Sequence, residues 1–439
     1  MSETQGTAST PQIEGCLGEL EPEHSAATCA EPGTSMVPDL DGAEAAPGSS
    51  ILDIFGAFLK LGLTSFGGPV AHLGYFRSEF VARRQWLSDG AFADLVALCQ
   101  FLPGPASSQV GIGLGLFRGG LPGAMAAWLG FTLPSAVALV LFAMLLSTSG
   151  LDSAGAWLHG LKVVAVAVVA QALWGMGKSL CPDRARASVA VAGAVLASWI
   201  PGVWGQIGVI VTGGLVGVFW LRPTTELPHS PFPVRLRKRT GLAVLAVFLF
   251  LLLALPTLAA HSGSYGLQLF DSFYRAGALV FGGGHVVLPV LQAEVVPPGW
   301  VSSDAFLAGY GAAQAVPGPL FTFAAYLGAV SSHSPNGWLG AAIALVAIFL
   351  PGFLLVLGTL PLWEGARRHP AMQRAMLGVN AAVVGLLLAA FYRPVWTGGI
   401  LSAADFGLAA LALLLLTLWK APPWAVVFLC AVAAGVGWH

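Results

Sequence analysis

The sequence is poor in charge for its length. Only 9% of its 439 residues are Asp, Glu, Lys or Arg, whereas 56% belong to the hydrophobic set. A soluble globular domain carries about 25% charged residues. Apolar stretches of about 20 residues recur, and each can cross a hydrocarbon core about 30 Å thick. This composition excludes a water-soluble body of this size and predicts an all-α, polytopic membrane protein.

The sequence also lacks the groupings that metal sites and nucleotide-driven motors need. Its five cysteines are scattered, and no pair of them has metal-ligand spacing. The phosphate-binding pattern G-x-x-x-x-G-K-[ST] is absent. We therefore expect no disulfide, no metal, no cofactor, no nucleic-acid partner and no enzymatic activity.

Basic residues are missing from the first 50 positions, which contain nine acids and many small or polar residues. Such a segment cannot bury enough apolar surface to offset its ordering entropy, so residues 1–49 are predicted to be a disordered acidic tail. The absence of a basic region followed by an apolar one argues against a signal peptide, and the absence of arginine argues against a transit peptide.

The remaining sequence repeats itself at offsets of 214 to 217 residues. Five matched blocks occur in the same order in both halves, which indicates a duplication. The blocks are Phe58–Gly68 with Phe273–Gly283, Trp86–Phe92 with Trp300–Phe306, Gln100–Pro105 with Gln314–Pro319, Gly120–Gly123 with Gly337–Gly340, and Pro134 with Pro351.

Loop charges predict how the halves are oriented. The loop after the first block is basic in half one and has no basic residue in half two, and farther along this bias reverses. Because Lys and Arg are retained in the cytoplasm, equivalent loops of opposite bias should lie on opposite sides of the membrane. The sequence therefore predicts inverted repeats, as in many secondary transporters. The arginines concerned are Arg77, Arg83 and Arg84 in half one, and Arg367, Arg368 and Arg374 in half two.

Glycine and proline break two segments at the start of each half, and unbroken apolar spans follow. The broken elements are predicted at 51–76, 91–117, 267–291 and 303–331. Spans are predicted at 124–147, 157–177, 187–200, 204–221, 240–260, 338–361, 375–391, 403–419 and 421–438. The expected organisation is the tail at 1–49, a first repeat at 50–221, a basic cytoplasmic loop with a linking helix at 222–262, and a second repeat at 263–439.

The breaks, Phe-Gly-Gly and Pro-Gly-Pro, are where we expect the chemistry. Irregular backbone at membrane depth survives only where protein buries it or where it lines a polar cavity. A half-helix beginning near Pro105 or Pro319 presents unpaired N–H groups and the positive end of its dipole, which favours an anion. The candidate binding residues are Lys60, Ser65, Gly67, Gly68, Gln100, Pro103, Gly104, Pro105, Ser107, Ser108, Arg275, Gly282, Gly283, Gln314, Pro317, Gly318, Pro319 and Thr322.

Two of these candidates, Lys60 and Arg275, occupy the same repeat position. A cation within an apolar segment is costly unless it faces a cavity or a partner. Each could therefore balance the charge of an anion, pair with a nearby Asp53 or Asp271, or extend to the membrane interface.

At these residues the chain resembles the chromate ion transporter (CHR) family in its long, two-domain form. The resemblance lies in Lys60 to Pro69 with Gln100 to Pro105, repeated in variant form at Arg275 to Gly284 and Gln314 to Pro319. It implies a multi-pass inner-membrane protein that expels chromate from the cytoplasm, confers chromate resistance, and is driven by an ion gradient or the membrane potential. The second half departs from the first, with Gly284 where the first has Pro69 and Leu320-Phe321 where it has Ser107-Ser108.

The sequence leaves alternatives open. Chromate and sulfate are similar tetrahedral dianions, so a sulfate or other oxyanion carrier of the same architecture is the nearest rival. A non-transporting membrane sensor is the rival of another class, and a membrane-embedded enzyme is disfavoured because no acid, base or metal cluster is found. A homodimer is left open. Alternating access by rocking of one repeat against the other is the expected mechanism.

Overall fold

The computed structural model describes residues 50–149, 155–200, 202–222, 237–281, 284–363 and 369–437, and all of the elements below lie there. The predicted acidic tail, most of the predicted basic loop, and the candidate residues Gly282 and Gly283 lie outside the described residues. The described chain is helical and contains no strand, which confirms the all-α prediction.

The first repeat begins with two interrupted helical segments. Its long helix α4 is interrupted at Gly119 and Gly120, where non-helical angles make a hairpin between an arm at 106–118 and an arm at 121–149. The helices are α1 (Ile51–Thr64), α2 (Gly68–Phe76, continued by a π-helical turn at Arg77–Arg83), α3 (Asp89–Phe101), α4 (Ala106–Ser149), α5 (Gly155–Leu180), α6 (Arg184–Trp199) and α7 (Val203–Trp220).

A single helix, α8 (Lys238–Ser262), separates the two repeats, and the second repeat then follows the same order. In it, the helices at Phe323–Val330 (α12) and Gly337–Thr359 (α13) correspond to the two arms of α4. The helices are α9 (Tyr265–Leu279), α10 (Val287–Val295), α11 (Ser303–Ala313), α12 (Phe323–Val330), α13 (Gly337–Thr359), α14 (Pro370–Ala390, continued by a π-helical turn at Phe391–Trp396), α15 (Ala403–Thr417) and α16 (Pro423–Gly435).

Five of the described helical stretches are long and apolar enough to cross a membrane: Ala106–Ser147, Gly155–Leu180, Lys238–Ser262, Gly337–Leu362 and Pro370–Gly399. The chain is therefore a multi-pass membrane protein. In the order of helices, α8 stands alone between the two series, as the odd crossing between inverted halves requires.

The repeated sequence blocks correspond to repeated structural devices. Ser88 and Ser302 are repeat partners, and each caps the third helix of its repeat by accepting a hydrogen bond from the backbone N–H three residues on, at 3.2 Å in both cases. Gly62 and Gly277 are also repeat partners, and each lets the first helix touch the backbone of the long helix beside it. A Cβ at Gly62 would lie 2.7 Å from the Gly130 carbonyl oxygen, and one at Gly277 would overlap the Ile348 carbonyl.

The two repeats are interlocked through their later helices. Helix α14 of the second repeat packs against α6 and α7 of the first, and α5 of the first packs against α15 and α16 of the second. Two ion pairs link α5 to the second repeat: Lys162 Nζ lies 3.0 Å from Asp304 Oδ1, and His159 Nε2 lies 2.6 Å from Asp405 Oδ1. This reciprocal packing places the broken segments of both repeats against each other.

Candidate functional site

The four predicted breaks meet through two reciprocal backbone hydrogen bonds. The N–H of Gly104, in the first Pro-Gly-Pro, donates to the carbonyl of Val280 at 2.6 Å, directly before the second Phe-Gly-Gly. The N–H of Gly318, in the second Pro-Gly-Pro, donates to the carbonyl of Ser65 at 2.9 Å, directly before the first Phe-Gly-Gly. The Pro-Gly-Pro break of each repeat is thus joined to the Phe-Gly-Gly break of the other repeat. We call this meeting point the crossing.

Glycine is required at the centre of each Pro-Gly-Pro. Gly104 has φ of +116° and Gly318 has φ of +107°, a region that L side chains rarely adopt. The chain also has close neighbours there: Gly104 lies against Gly352 and Gly318 lies against Ser135. Ser135 and Gly352 are repeat partners on the second arm of α4 and on α13, so the surroundings of the crossing are symmetric in backbone but not in side chain.

Beside the crossing, the first repeat contributes a set of buried polar side chains. At the start of α4, Ser107 and Ser108 are each 3% exposed and Gln109 is fully buried. Gln109 donates from Nε2 to the Pro103 carbonyl at 2.8 Å. The hydroxyls of Ser65 and Ser108 and Oε1 of Gln109 are buried without a hydrogen-bond partner in the described part of the chain. Buried polar atoms are nearly always satisfied, so these groups are placed to bind a polar ligand or water.

His72 belongs to the same set. It is 1% exposed, its Nδ1 lies 3.4 Å from the Ser107 hydroxyl, and its ring meets Phe131 edge-on with centroids 5.3 Å apart. The side chain also lies close to the backbone carbonyl of Ser65. Its Nε2 is buried without a hydrogen-bond partner among the described residues.

The equivalent positions of the second repeat are apolar or already satisfied. Counted from the two Pro-Gly-Pro breaks, Phe321 stands at the place of Ser107 and Thr322 at that of Ser108, one residue later than the Leu320-Phe321 pairing above, so the second repeat keeps one hydroxyl. The Thr322 hydroxyl donates to the Pro319 carbonyl at 2.8 Å. At the offset of 215 the partner of His72 is the buried Val287, and the nearby His285 pairs through Nδ1 with the Tyr310 hydroxyl at 2.8 Å. The unsatisfied polar groups of the crossing therefore come mainly from the first repeat.

Of the two predicted cations, one is exposed and the other is already paired. Lys60 is exposed on α1. Arg275 takes the ion-pairing alternative: its Nε lies 3.1 Å from Asp271 Oδ2, and its two terminal nitrogens lie 2.9 and 3.0 Å from the carboxylate oxygens of Glu294.

The remaining candidates are divided between the crossing and its surroundings. Gln100 is exposed at the end of α3, and Gln314 is half-buried and donates to the Tyr310 carbonyl at 3.4 Å. Gly67 is exposed, whereas Gly68 lies against His285. Pro103, Pro105, Pro317 and Pro319 flank the two central glycines and are buried or half-buried.

Sequence reasoning missed the role of one repeated glutamate. Glu79 and Glu294 are repeat partners at an offset of 215, and both are buried acids held by arginines. Glu79, in the π-helical turn that continues α2, pairs with Arg83 at 2.8 Å and with Arg84 at 2.6 Å. Burial acts to raise the pKa of Glu79, but the hydrogen bonds and charges of Arg84 and Arg83 outweigh it and hold the pKa below its usual range. The matching offset was the available signal.

Comparisons with known proteins agree on one family. A family profile described as Chromate transporter matches residues 52–218 and 267–436. The chain is 29% identical over 345 residues to the Chromate transport protein of Pseudomonas aeruginosa, covering 78% of this chain and 80% of that protein. It is 29% identical over 348 residues to the Probable chromate transport protein of Synechococcus elongatus, covering 78% and 84%. It is 26% identical over 359 residues to the Chromate transport protein of Cupriavidus metallidurans, covering 79% and 82%. No solved structure matches this chain.

Proposed function

Because the chain belongs to the chromate transporter family, we propose that it is a secondary transporter that exports chromate from the cytoplasm across the inner membrane. The anion binds at the crossing, where the Pro-Gly-Pro breaks of the two repeats open into half-helices. The supporting observation is the pair of reciprocal hydrogen bonds from Gly104 to Val280 and from Gly318 to Ser65, because they join all four breaks at one place.

The chemistry of the crossing suits a tetrahedral dianion. A dianion that leaves water needs hydrogen-bond donors in place of its hydration shell, and hydrogen bonds to charged groups contribute about 1.5–3 kcal/mol each. The hydroxyls of Ser65, Ser107 and Ser108 can donate to it, and the N-terminal end of α4 adds the positive end of a helix dipole. The buried, unpartnered hydroxyls of Ser65 and Ser108 are the donors that such an anion would satisfy.

Transport follows from the arrangement of the repeats. Each half-helix end belongs to one repeat, while the hydrogen bonds that fix it come from the other repeat. Rocking of one repeat against the other changes which side of the crossing is open and leaves the anion held at the centre. Coupling to an ion gradient or to the membrane potential supplies the driving force, since the sequence has no phosphate-binding loop.

The test is uptake of radiolabelled chromate into inside-out membrane vesicles that contain this protein. Accumulation above that of empty vesicles, dependent on an imposed gradient, is the expected result, because export from a cell corresponds to uptake by an inside-out vesicle. Unlabelled sulfate as competitor measures selectivity between the two dianions. Absence of accumulation in inside-out vesicles, with uptake in right-side-out vesicles instead, would contradict export. Sulfate transport without chromate transport would replace chromate by its rival.

A further inference from the structure

We infer that His72 is a proton-binding site of this carrier and that each dianion crosses the membrane together with one proton held on the His72 imidazole. This inference rests on the proposed function, because it requires an oxyanion at the crossing. It adds a second transported species and assigns it to one side chain.

The position of His72 connects it to three of the four breaks. It lies on α2, directly after the first Phe-Gly-Gly, and is 1% exposed. Its Nδ1 faces the Ser107 hydroxyl at 3.4 Å, at the start of the half-helix that follows the first Pro-Gly-Pro. It also lies close to the Ser65 carbonyl, which accepts the hydrogen bond from Gly318 of the second Pro-Gly-Pro. A change in the charge of His72 is therefore felt at the centre of the crossing.

The second nitrogen of His72 is the atom that makes the inference specific. Nε2 is buried and has no hydrogen-bond partner in the described part of the chain. The unpartnered hydroxyls of Ser65 and Ser108 are buried in the same region of the first repeat. A neutral imidazole has one donor and one acceptor nitrogen, whereas the protonated ring has two donors. Protonation therefore converts His72 into one more donor for an oxyanion.

Charge balance gives the reason for a proton. Neither of the two cations that the sequence places near the breaks is both buried and unpaired: Lys60 is exposed, and Arg275 is held by Asp271 and Glu294. Neutral hydroxyls and a helix end compensate a dianion only in part. An imidazolium contributes a full positive charge, and an anion in contact with it stabilises the protonated ring in return.

The other titratable groups around His72 are paired or face away. Across the crossing, His285 and Tyr310 of the second repeat are hydrogen-bonded to each other at 2.8 Å. On the neighbouring α3, Asp89 pairs with Arg77 at 2.7 Å and Asp94 accepts from the indole of Trp363 at 3.2 Å. On its own helix, Tyr75 is exposed.

The transport step balances in charge and in protons. On the loading side, a proton from water binds the free ring nitrogen and the dianion binds beside it, so the loaded site carries a net charge of −1. On the release side, the anion leaves, the imidazolium loses its stabilising partner, and the proton returns to water. No bond other than N–H forms or breaks, and no further reactant is needed.

The experiment uses the full-length protein reconstituted in liposomes that enclose a pH-sensitive dye. Chromate is added in alkaline buffer, where it is the dianion, and uptake of chromate and of protons is measured together. We expect one proton per chromate for the wild type and for His333→Gln, in which the changed histidine is exposed in a loop. His285→Gln, which changes the histidine that follows the second Gly-Gly, should also retain one proton per chromate. His72→Gln should carry chromate without protons.

A second readout is the pH dependence of the half-saturating chromate concentration, again kept above the range in which hydrogen chromate forms. It should fall by up to about tenfold for each unit by which pH is lowered in the wild type, the limit for one linked proton. It should stay flat in His72→Gln.

Chromate uptake by the wild type without proton uptake would overturn the inference and leave the proposed function standing. Loss of proton uptake in His285→Gln but not in His72→Gln would overturn the assignment to His72. Failure of the wild type to move chromate at all would contradict the proposed function itself. Where His72→Gln does not fold, the wild-type proton count still decides whether a proton accompanies the anion, and the pH dependence in His285→Gln and His333→Gln shows whether either of those histidines carries it.

Discussion

Replacing both Ser107 and Ser108 by alanine should separate binding of the anion from folding of the protein. Both side chains are 3% exposed, at the start of α4 beside the crossing. The Ser108 hydroxyl has no partner among the described residues, and the Ser107 hydroxyl has only the long contact of 3.4 Å with His72. Removing them therefore costs the unliganded protein little, since an unsatisfied buried hydroxyl is itself unfavourable.

The effect on the liganded state should be large. Each hydroxyl that donates to a charged oxyanion contributes about 1.5–3 kcal/mol, which corresponds to a loss of about 10- to 150-fold in affinity for each one. Because the two residues are adjacent, their losses need not add. We expect the double variant to raise the half-saturating chromate concentration by at least about 100-fold, while the yield and thermal stability of the purified protein stay near those of the wild type.

The assay is concentration-dependent chromate uptake in inside-out vesicles, normalised to the amount of correctly inserted protein. Ser147→Ala is the matched control, because Ser147 lies on the same helix, is exposed, and donates its hydroxyl to a local backbone carbonyl at 2.8 Å. Chromate uptake of the double variant equal to that of Ser147→Ala, at equal insertion, would refute the assignment of the anion to the start of α4. A parallel loss of stability and uptake would also count against it, because the argument predicts loss of uptake alone.

Three further outcomes follow from the packing and the ion pairs. Gly277→Ala should lower the free energy of unfolding by about 1–3 kcal/mol, because the new Cβ would overlap the backbone of α13. Gly56→Ala, with nothing near its Cβ, should be neutral or stabilising. Equal melting temperatures of the two variants would contradict the close approach of Gly277 to α13. The pKa of Glu79 is lowered in the folded protein. Its ion pairs therefore stabilise the protein fully above the unfolded glutamate pKa of about 4.3, and this stabilisation is lost as the pH falls through the folded pKa. Acid should accordingly lower the melting temperature less in Glu79→Gln than in the wild type. Arg275→Gln should reduce the yield of folded protein, because it leaves buried carboxylates unpaired. Adding Glu294→Gln should restore part of that yield. Loss of transport at full yield would instead indicate that Arg275 binds the anion.

Local sequence signals predicted most of the helices and the breaks between them. The matched serines Ser88 and Ser302 are helix caps, and the glycines of the two Pro-Gly-Pro motifs have the positive φ that only glycine adopts easily. These features depend on the residue type and its immediate neighbours. The repeat added long-range information, because an element recognised in one half could be sought at the same offset in the other.

The contacts between the halves could not be predicted in the same way. Nothing local to Gly104 indicates that its N–H donates to Val280, or that Arg275 reaches Glu294 nineteen residues along the chain. Such contacts depend on how two packed repeats face each other, and a periodic pattern carries no information about that. The sequence left Arg275 a choice between an anion, Asp271 and the membrane interface, and the fold gives it Asp271 together with Glu294.

The difference between the repeats has a physical reason in the cost of buried polar groups. One tetrahedral dianion can satisfy only a limited number of donors, and any donor beyond that number stays buried and unpaired in every state of the cycle, at a cost of about 1–3 kcal/mol. A second full set of hydroxyls in the other repeat would carry this cost without a ligand to relieve it. The second repeat instead has Phe321 at one of the two hydroxyl positions, bonds Thr322 to its own backbone, and pairs His285 with Tyr310. Symmetry is thus retained in the backbone breaks, which the proposed rocking motion would need in both halves, and is lost in the side chains, as expected if a single anion needs only one set of donors.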